Sequence, residues 1–151
     1  MVIASDIETF IECLENYFSK RSDKQVVVET PYLTDSISNV ISDFTGVISI
    51  SGNYSGHVYF TAPGSFLEKL IQAHGQQDFS ENLKKDVVGE ITNTLSGNSR
   101  RELGKGFVIS VPTVIHGDVQ ELTLERGAHS YVVPMTWLEQ KAAMVVSVIK
   151  I

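Results

Sequence analysis

Asp86-Val87-Val88-Gly89-Glu90-Ile91-Thr92-Asn93-Thr94-Leu95-Ser96-Gly97 lies inside the longest run of this sequence that reads as helix, roughly residues 80 to 102. Two glycines in a helix interior each cost about 1 kcal/mol against alanine. Close packing or the approach of a partner must offset that. On a wheel of about 100° per residue with Gly89 at zero, Arg100 falls near 20°, Asn93 near 40°, Asp86 near 60°, Gly97 near 80° and Glu90 near 100°. Val87, Ile91, Leu95 and Val88 occupy about 160° to 260° and are expected to face the core. Both glycines therefore sit on the polar side. Two readings stay open. The polar side is a docking face, where Gly89 and Gly97 keep the backbone low and Glu90 and Asn93 project. Alternatively it is a solvated face with two tolerated glycines, or a contact with the first helix. The Asn93 amide does not titrate near neutral pH, so it can orient a water but cannot serve as acid or base. Glu90 can act as a base or pair with a cation on a partner. One amide and one carboxylate are thin for a self-contained enzyme. They make sense where a partner brings the reactive group and the metal.

Outward from this helix the chain alternates between helical and extended patterns. Residues 5 to 19 read as an amphipathic helix with Ile7, Phe10, Ile11, Leu14, Tyr17 and Phe18 on one face. Ser5 and Glu8 fit a capping box, and Cys13 falls off the apolar stripe. Gln25 to Tyr32 reads as a strand ending near Pro31, while Thr34 to Ile41 is ambiguous. Asp43 to Thr61 reads as a hairpin around a Gly- and Asn-rich turn. Ser55 and Gly56 belong to that turn rather than to a nucleophile elbow, which needs a strand-to-helix turn. Pro63 opens a short helix with Phe66, Leu67, Leu70 and Ile71 buried, and Gly75 stops it. Asp78 and Glu81 are expected to cap the long helix. Phe107 to Val111 is a strand that Pro112 to Ile115 extends past a bend. Gln120 to Leu124, Ser130 to Pro134 and Met144 to Ile149 are further strands, joined by a turn at Arg126-Gly127 and a looser one at Leu138 to Ala142. This order gives an α+β fold, with a mainly antiparallel β-sheet packed against long helices in a single domain over residues 1–151. A helix followed by hairpins recurs in both halves, which suggests a degenerate duplication without clear sequence identity.

At 151 residues the chain is long enough to bury a substantial core. A net charge of −6 argues against a nucleic-acid partner, and the densest basic cluster is only Arg100, Arg101 and Lys105. Cys13 is the single cysteine, so no internal disulfide forms, and no nearby histidine activates it. The N-terminus lacks the pattern of a signal peptide, and no apolar run reaches the roughly 18 residues of a membrane span. A cytoplasmic protein without membrane or nucleic-acid partners is expected. His57, His74, His116 and His129 are too scattered to predict a metal site.

The run Asp86 to Gly97, with its E-x-x-N pair Glu90/Asn93 and flanking glycines, resembles the signature of the CheC/CheX/FliY phosphatases of bacterial chemotaxis, most closely the CheX branch. The 43–60 hairpin with Gly46, Gly52 and Gly56 resembles that family's glycine-spaced first hairpin. Ser110-Val111-Pro112-Thr113-Val114-Ile115 followed by Gly117 resembles the strand after its signature helix. The resemblance is strong over about 40 to 120 and weak at the ends. It implies hydrolysis of the aspartyl phosphate on a CheY-like response regulator of a two-component pathway. By the resemblance, Glu90 pairs with a partner lysine, and Asn93 enters the partner's active site and positions the attacking water. Asp86, Gly89, Gly97 and Arg100 complete the expected partner-binding face. The chain itself is expected to bind no cofactor, the partner carrying Mg²⁺. The CheX branch also implies a homodimer formed through the sheet. CheC-type members carry a second E-x-x-N on the first helix. Here that helix has only Glu12 and Asn16, at the wrong spacing, so one site per chain is expected. No fused receiver domain is expected, so the regulator is expected to be met in trans. The alternative is a non-catalytic module that binds response regulators, as in flagellar-switch middle domains.

Overall fold

The computed structural model describes residues 4–21, 25–117 and 130–151; the expected strand at 120–124 and the turn at Arg126-Gly127 lie outside the described residues. The first helix, α1 (Ala4–Ser19), buries Ile7, Phe10, Leu14, Tyr17 and Phe18 as their spacing dictates. It is already running at Ala4, so Ser5 is a helical residue and not the cap. Cys13 is buried too, contrary to expectation, because α1 packs sideways on the long helix as well as down on the sheet. The predicted strand from 25 to 32 is two short ones, β1 (Val27–Val28) and β2 (Tyr32–Thr34). The first hairpin pairs β3 (Phe44–Gly52) with β4 (Tyr54–Ala62), turning at Asn53 after Gly52 with φ +89°.

Helix α2 (Gly64–Ala73) begins after Pro63, buries Phe66, Leu67, Leu70 and Ile71, and is followed by Gly75 at φ +77°. The long helix α3 spans Glu81–Leu103, and its cap is Ser80. The Ser80 hydroxyl accepts from the Leu83 N–H at 3.2 Å, while Asp78 accepts from the Ser80 N–H at 2.9 Å. The expected Asp78 cap is thus one step removed; it holds the capping residue. Strands β5 (Phe107–Ile109) and β6 (Thr113–His116) follow. The last hairpin is β7 (Ser130–Trp137) and β8 (Gln140–Lys150). Its turn is tight rather than loose, with Leu138 and Glu139 both at positive φ (50° and 65°), as a two-residue hairpin turn of this hand requires.

The antiparallel sheet makes the duplication explicit. The hairpins β3–β4 and β7–β8 lie side by side through β4 and β8, and each outer strand carries two short strands from the other half. Strands β1 and β2 lie along β7, and β5 and β6 along β3. Both short pairs are single strands interrupted by a bulge. Glu29, Thr30 and Pro31 face two residues of β7, and Ser110, Val111 and Pro112 face two of β3. Proline, which has no N–H to donate, ends each bulge. Equivalent bonds run from Glu29 N–H to Pro134 O and from Ser110 N–H to Ser49 O, at 2.9 and 3.0 Å. The shift that carries Pro31 onto Pro112 also carries Ile7, Phe10, Leu14 and Phe18 of α1 onto Val88, Ile91, Leu95 and Ser99, all buried in α3.

The helices cover one face of the sheet. Phe18, Phe60, Phe66 and Trp137 meet there, with ring centroids 5.5 to 6.1 Å apart. On the other face Ile37, with Val40 and Ile41, covers Val47, Tyr59, Val132, Ala143 and Val145. Covering both faces explains why β8 is buried continuously from Ala142 to Val148 instead of alternating.

Candidate functional site

Helix α3 is held along its length and at both ends. Near its start Lys84 pairs with Glu68 of α2 at 2.9 Å, and Glu81 lies against Nδ1 of His116, whose ring stacks on Phe44 at 4.3 Å. At its end Gly104, at φ +95°, donates to Arg100 O at 2.8 Å, and Arg100 and Arg101 complement the helix dipole. In the middle α3 lies almost on the backbone of β3. A Cβ on Gly46 would overlap the Thr92 hydroxyl and sit 3.1 Å from Val88 O.

That close approach corrects the helical wheel. The buried arc includes Thr92, Ser96 and Ser99 besides Val88, Ile91 and Leu95. Thr92 and Ser99 donate back to Val88 O and Leu95 O at 2.7 and 2.8 Å, so their hydroxyls enter the interior already hydrogen-bonded. The core arc therefore swings toward Gly89, which is buried. A Cβ there would lie 3.1 Å from Val114 of β6. Gly89 thus belongs to helix–sheet packing and not to the exposed face. Asp86, Glu90, Asn93 and Arg100 are exposed, and Gly97 is partly exposed with nothing within 4 Å of a Cβ placed on it. Glu90 and Asn93, three apart on the helix, are surface neighbours. Beyond them Gly97, Arg100, Arg101, Gly104 and Lys105 line a shallow basic depression of about 350 Å³.

This face is a helix surface and not a cleft. A larger depression of about 620 Å³ lies between α2 and the β7–β8 turn, lined by Gln25, Lys69, Gln72, Ala73, Leu138 and Glu139. It contains neither Glu90 nor Asn93. Burial pushes the Cys13 thiol up, only partly opposed by a hydrogen bond with Ser99, so it does not supply a thiolate nucleophile. Among the described residues no three His, Cys, Asp or Glu side chains gather to hold a metal, and no helix is long and apolar enough to cross a membrane. An exposed amide and carboxylate on a rigid helix cannot enclose a small substrate. They can enter another protein's site.

Position α1 tells the same story by contrast. The shift that overlays the two bulges places Thr9 and Glu12 where α3 has Glu90 and Asn93. The first helix therefore lacks the pair at the structurally equivalent positions, not merely at the required spacing.

One residue at this face was not visible in the sequence. Arg21, just past the end of α1, stacks its guanidinium 3.4 Å above the Tyr17 ring and donates to Tyr17 O at 2.9 Å. Its Nη2 stands 4.0 Å from Glu90 Oε1. Burial pushes the Tyr17 hydroxyl up to about 12, with Arg21 lowering it and Glu90 raising it again. The available sequence signal was a basic residue at a helix C-terminus, four beyond a tyrosine.

Residues 44–136, more than half of the 151, match the family model of the chemotaxis phosphatase CheX. Among solved structures, a CheC-like superfamily protein from Shewanella sp. PV-4 is similar with a TM-score of 0.85 at 18% identity, covering 98% of this chain and 99% of that one. A putative chemotaxis protein from Desulfovibrio vulgaris Hildenborough aligns at 27% identity, TM-score 0.76, covering 93% and 94%. The CheX of a CheX–CheY–BeF3–Mg²⁺ complex from Borrelia burgdorferi aligns at 19% identity, TM-score 0.74, covering 94% and 96%. No curated protein matches this sequence. With the family match spanning the first hairpin, the Glu90/Asn93 helix and the bulged β5–β6 strand along β3, the chain belongs to the CheX family of chemotaxis phosphatases.

Proposed function

We propose that this chain hydrolyses the aspartyl phosphate of a CheY-like response regulator met in trans, with Asn93 positioning the attacking water and Glu90 docking to a partner lysine. The observation that carries this is the pairing of Glu90 and Asn93, exposed side by side on a helix whose opposite face is clamped to the sheet. The complex that a Borrelia burgdorferi CheX forms with CheY supports the choice of partner. The regulator contributes the phosphorylated aspartate and Mg²⁺, the metal neutralising phosphoryl charge. This chain contributes an amide that donates to and accepts from one water, and a carboxylate that anchors the approach. Phosphoryl transfer depends chiefly on placement and charge stabilisation, so an inserted amide is sufficient equipment. Asp86, Gly97 and Arg100 flank the pair as partner-binding positions, and Gly89 supports them from behind.

The test is loss of phosphate from a phosphorylated receiver domain in Mg²⁺, followed with and without the purified chain. Glu90→Ala should raise KM, and saturating receiver should restore most of the rate. A fall in kcat that saturation does not repair would assign Glu90 to the chemistry instead. Tight binding without faster phosphate loss would identify a binding module.

Gly97 separates a docking face from a merely solvated one. With open space around its Cβ position, Gly97→Ala should stabilise α3 by about 1 kcal/mol, readable as a higher melting temperature. If a partner's surface lies against that position, the same methyl should also weaken docking. A more stable variant with unchanged KM would mean that Gly97 is simply solvated.

A homodimer formed through the sheet remains part of this proposal. Val27, Tyr32, Leu33, Val108 and Val111 are exposed on or beside the outer short strands, where apolar side chains favour strand-to-strand association. Light scattering over a dilution series decides it.

A further inference from the structure

We infer that Arg21 is a positioning residue for Glu90, so that the docking element is a pair built from two helices and not a lone carboxylate on α3. This rests on the proposed role of Glu90 in docking. The arrangement around Arg21 is ordered before any partner arrives. The Arg21 N–H follows the end of α1 and donates to Phe18 O at 3.2 Å, fixing the backbone. The guanidinium lies flat on Tyr17 at 3.4 Å, and Nη1 donates to Tyr17 O at 2.9 Å. Tyr17 is itself buried, so the platform does not move. The Arg21 side chain is only 22% exposed, against 64% for Glu90. Its Nε is buried without a hydrogen-bond partner among the described residues.

A fixed cation therefore stands at the foot of an exposed carboxylate. At 4.0 Å from Oε1, Nη2 attracts Glu90 without a short hydrogen bond. A carboxylate has two oxygens and about four lone-pair sites. Arg21 thus biases Glu90 toward the α1 side and leaves Oε2 for an incoming ammonium. Holding the rotamer in advance lowers the entropic cost of docking a long, exposed side chain. The alternative sign is competition, in which Arg21 must release Glu90 before a partner lysine can take it. The 4.0 Å separation favours positioning, because a competing pair would close to hydrogen-bond distance.

The test is a double-mutant cycle on the full chain, using a CheY-like receiver domain phosphorylated by phosphoramidate in Mg²⁺. Arg21→Gln should raise KM roughly two- to fivefold, as befits a partly exposed ion pair, with little change in kcat. In a Glu90→Gln background the same change should have no further effect. Arg21→Lys, which keeps the charge, should recover part of the lost KM. Thermal melts of each variant confirm that the comparison is between folded proteins. Equal effects of Arg21→Gln in both backgrounds would overturn the inference. So would a lower KM, which would mean competition, or an Arg21→Lys variant no better than Arg21→Gln, which would assign the effect to packing on Tyr17. If the wild-type chain neither accelerates phosphate loss nor binds the receiver, the docking role of Glu90 falls and this inference falls with it. Wild-type activity with additive variants defeats the Arg21 assignment alone.

Discussion

Asn93→Ala is expected to lower the rate of receiver dephosphorylation by roughly 10²-fold or more, the scale on which misplacing a reacting group acts. KM should change little, because Glu90 and the flanking positions still dock. The fold should not suffer. Asn93 is exposed on α3, and among the described residues no hydrogen bond holds its side chain. Alanine is the better helix former, so the melting temperature should hold or rise slightly. Activity and stability therefore move in opposite directions, which distinguishes a lost catalytic group from a damaged protein. Single-turnover decay of the phosphorylated receiver reads the effect without interference from product release. Asn93→Asp adds a second check. It keeps the size but replaces a donor with a negative charge beside a phosphoryl group, so it should be as inactive as alanine. If Asn93→Ala decays the receiver at the wild-type rate, the amide does not position the water.

The sequence revealed most where a local signal sufficed. Pro63 and Gly75 bracket α2 because each acts on its own backbone. The first hairpin and the bend at Pro112 were legible for the same reason, although only pairing with β3 shows that the bend is a bulge. Strands β1 and β2 read as one in the sequence because pieces of two and three residues carry no periodicity. The burial of Cys13 and Gly89 escapes a helical wheel for a shared reason. A helical wheel ranks faces by hydrophobicity, whereas α3 packs on β3 and α1 through small residues such as Thr92, Ser96 and Ser99. The burial of Thr92 depends on Gly46 and that of Ser99 on contact with Cys13 of α1, and no window around α3 contains either. Arg21 was invisible because its partner, Glu90, is on another helix. The exposed pair itself was readable because Glu90 and Asn93 are adjacent on one helix and need no tertiary contact to be neighbours.

Gly46→Ala is the substitution expected to damage the fold most. Gly46 sits in the middle of β3, paired with Phe60 on one side and Val114 on the other, so its backbone cannot retreat without breaking both ladders. An added methyl would overlap the Thr92 hydroxyl, lie 2.9 Å from Thr92 Cβ and 3.1 Å from Val88 O. Rotating Thr92 away would release its 2.7 Å bond to Val88 O, and β-branching leaves it few rotamers to choose from. The remaining route is for α3 to lift off the sheet. Overpacking of this kind costs about 1–3 kcal/mol and occasionally more. For a domain of this size that is a fall of roughly 2–12 °C in melting temperature. Adding Thr92→Ser should return little, since the hydroxyl stays, whereas Thr92→Ala should return part of the loss by removing the overlapping atom. Full recovery is not expected, because Thr92 Cβ and Val88 O remain. The lift also moves Glu90 and Asn93, which are fixed to the opposite side of the same helix. Activity at temperatures well below the transition should therefore fall along with stability, and the Thr92→Ala partner should restore both together. An unchanged melting temperature for Gly46→Ala would mean that α3 stands farther from β3 than this packing requires, and the rigid support proposed for Asn93 would have to come from elsewhere.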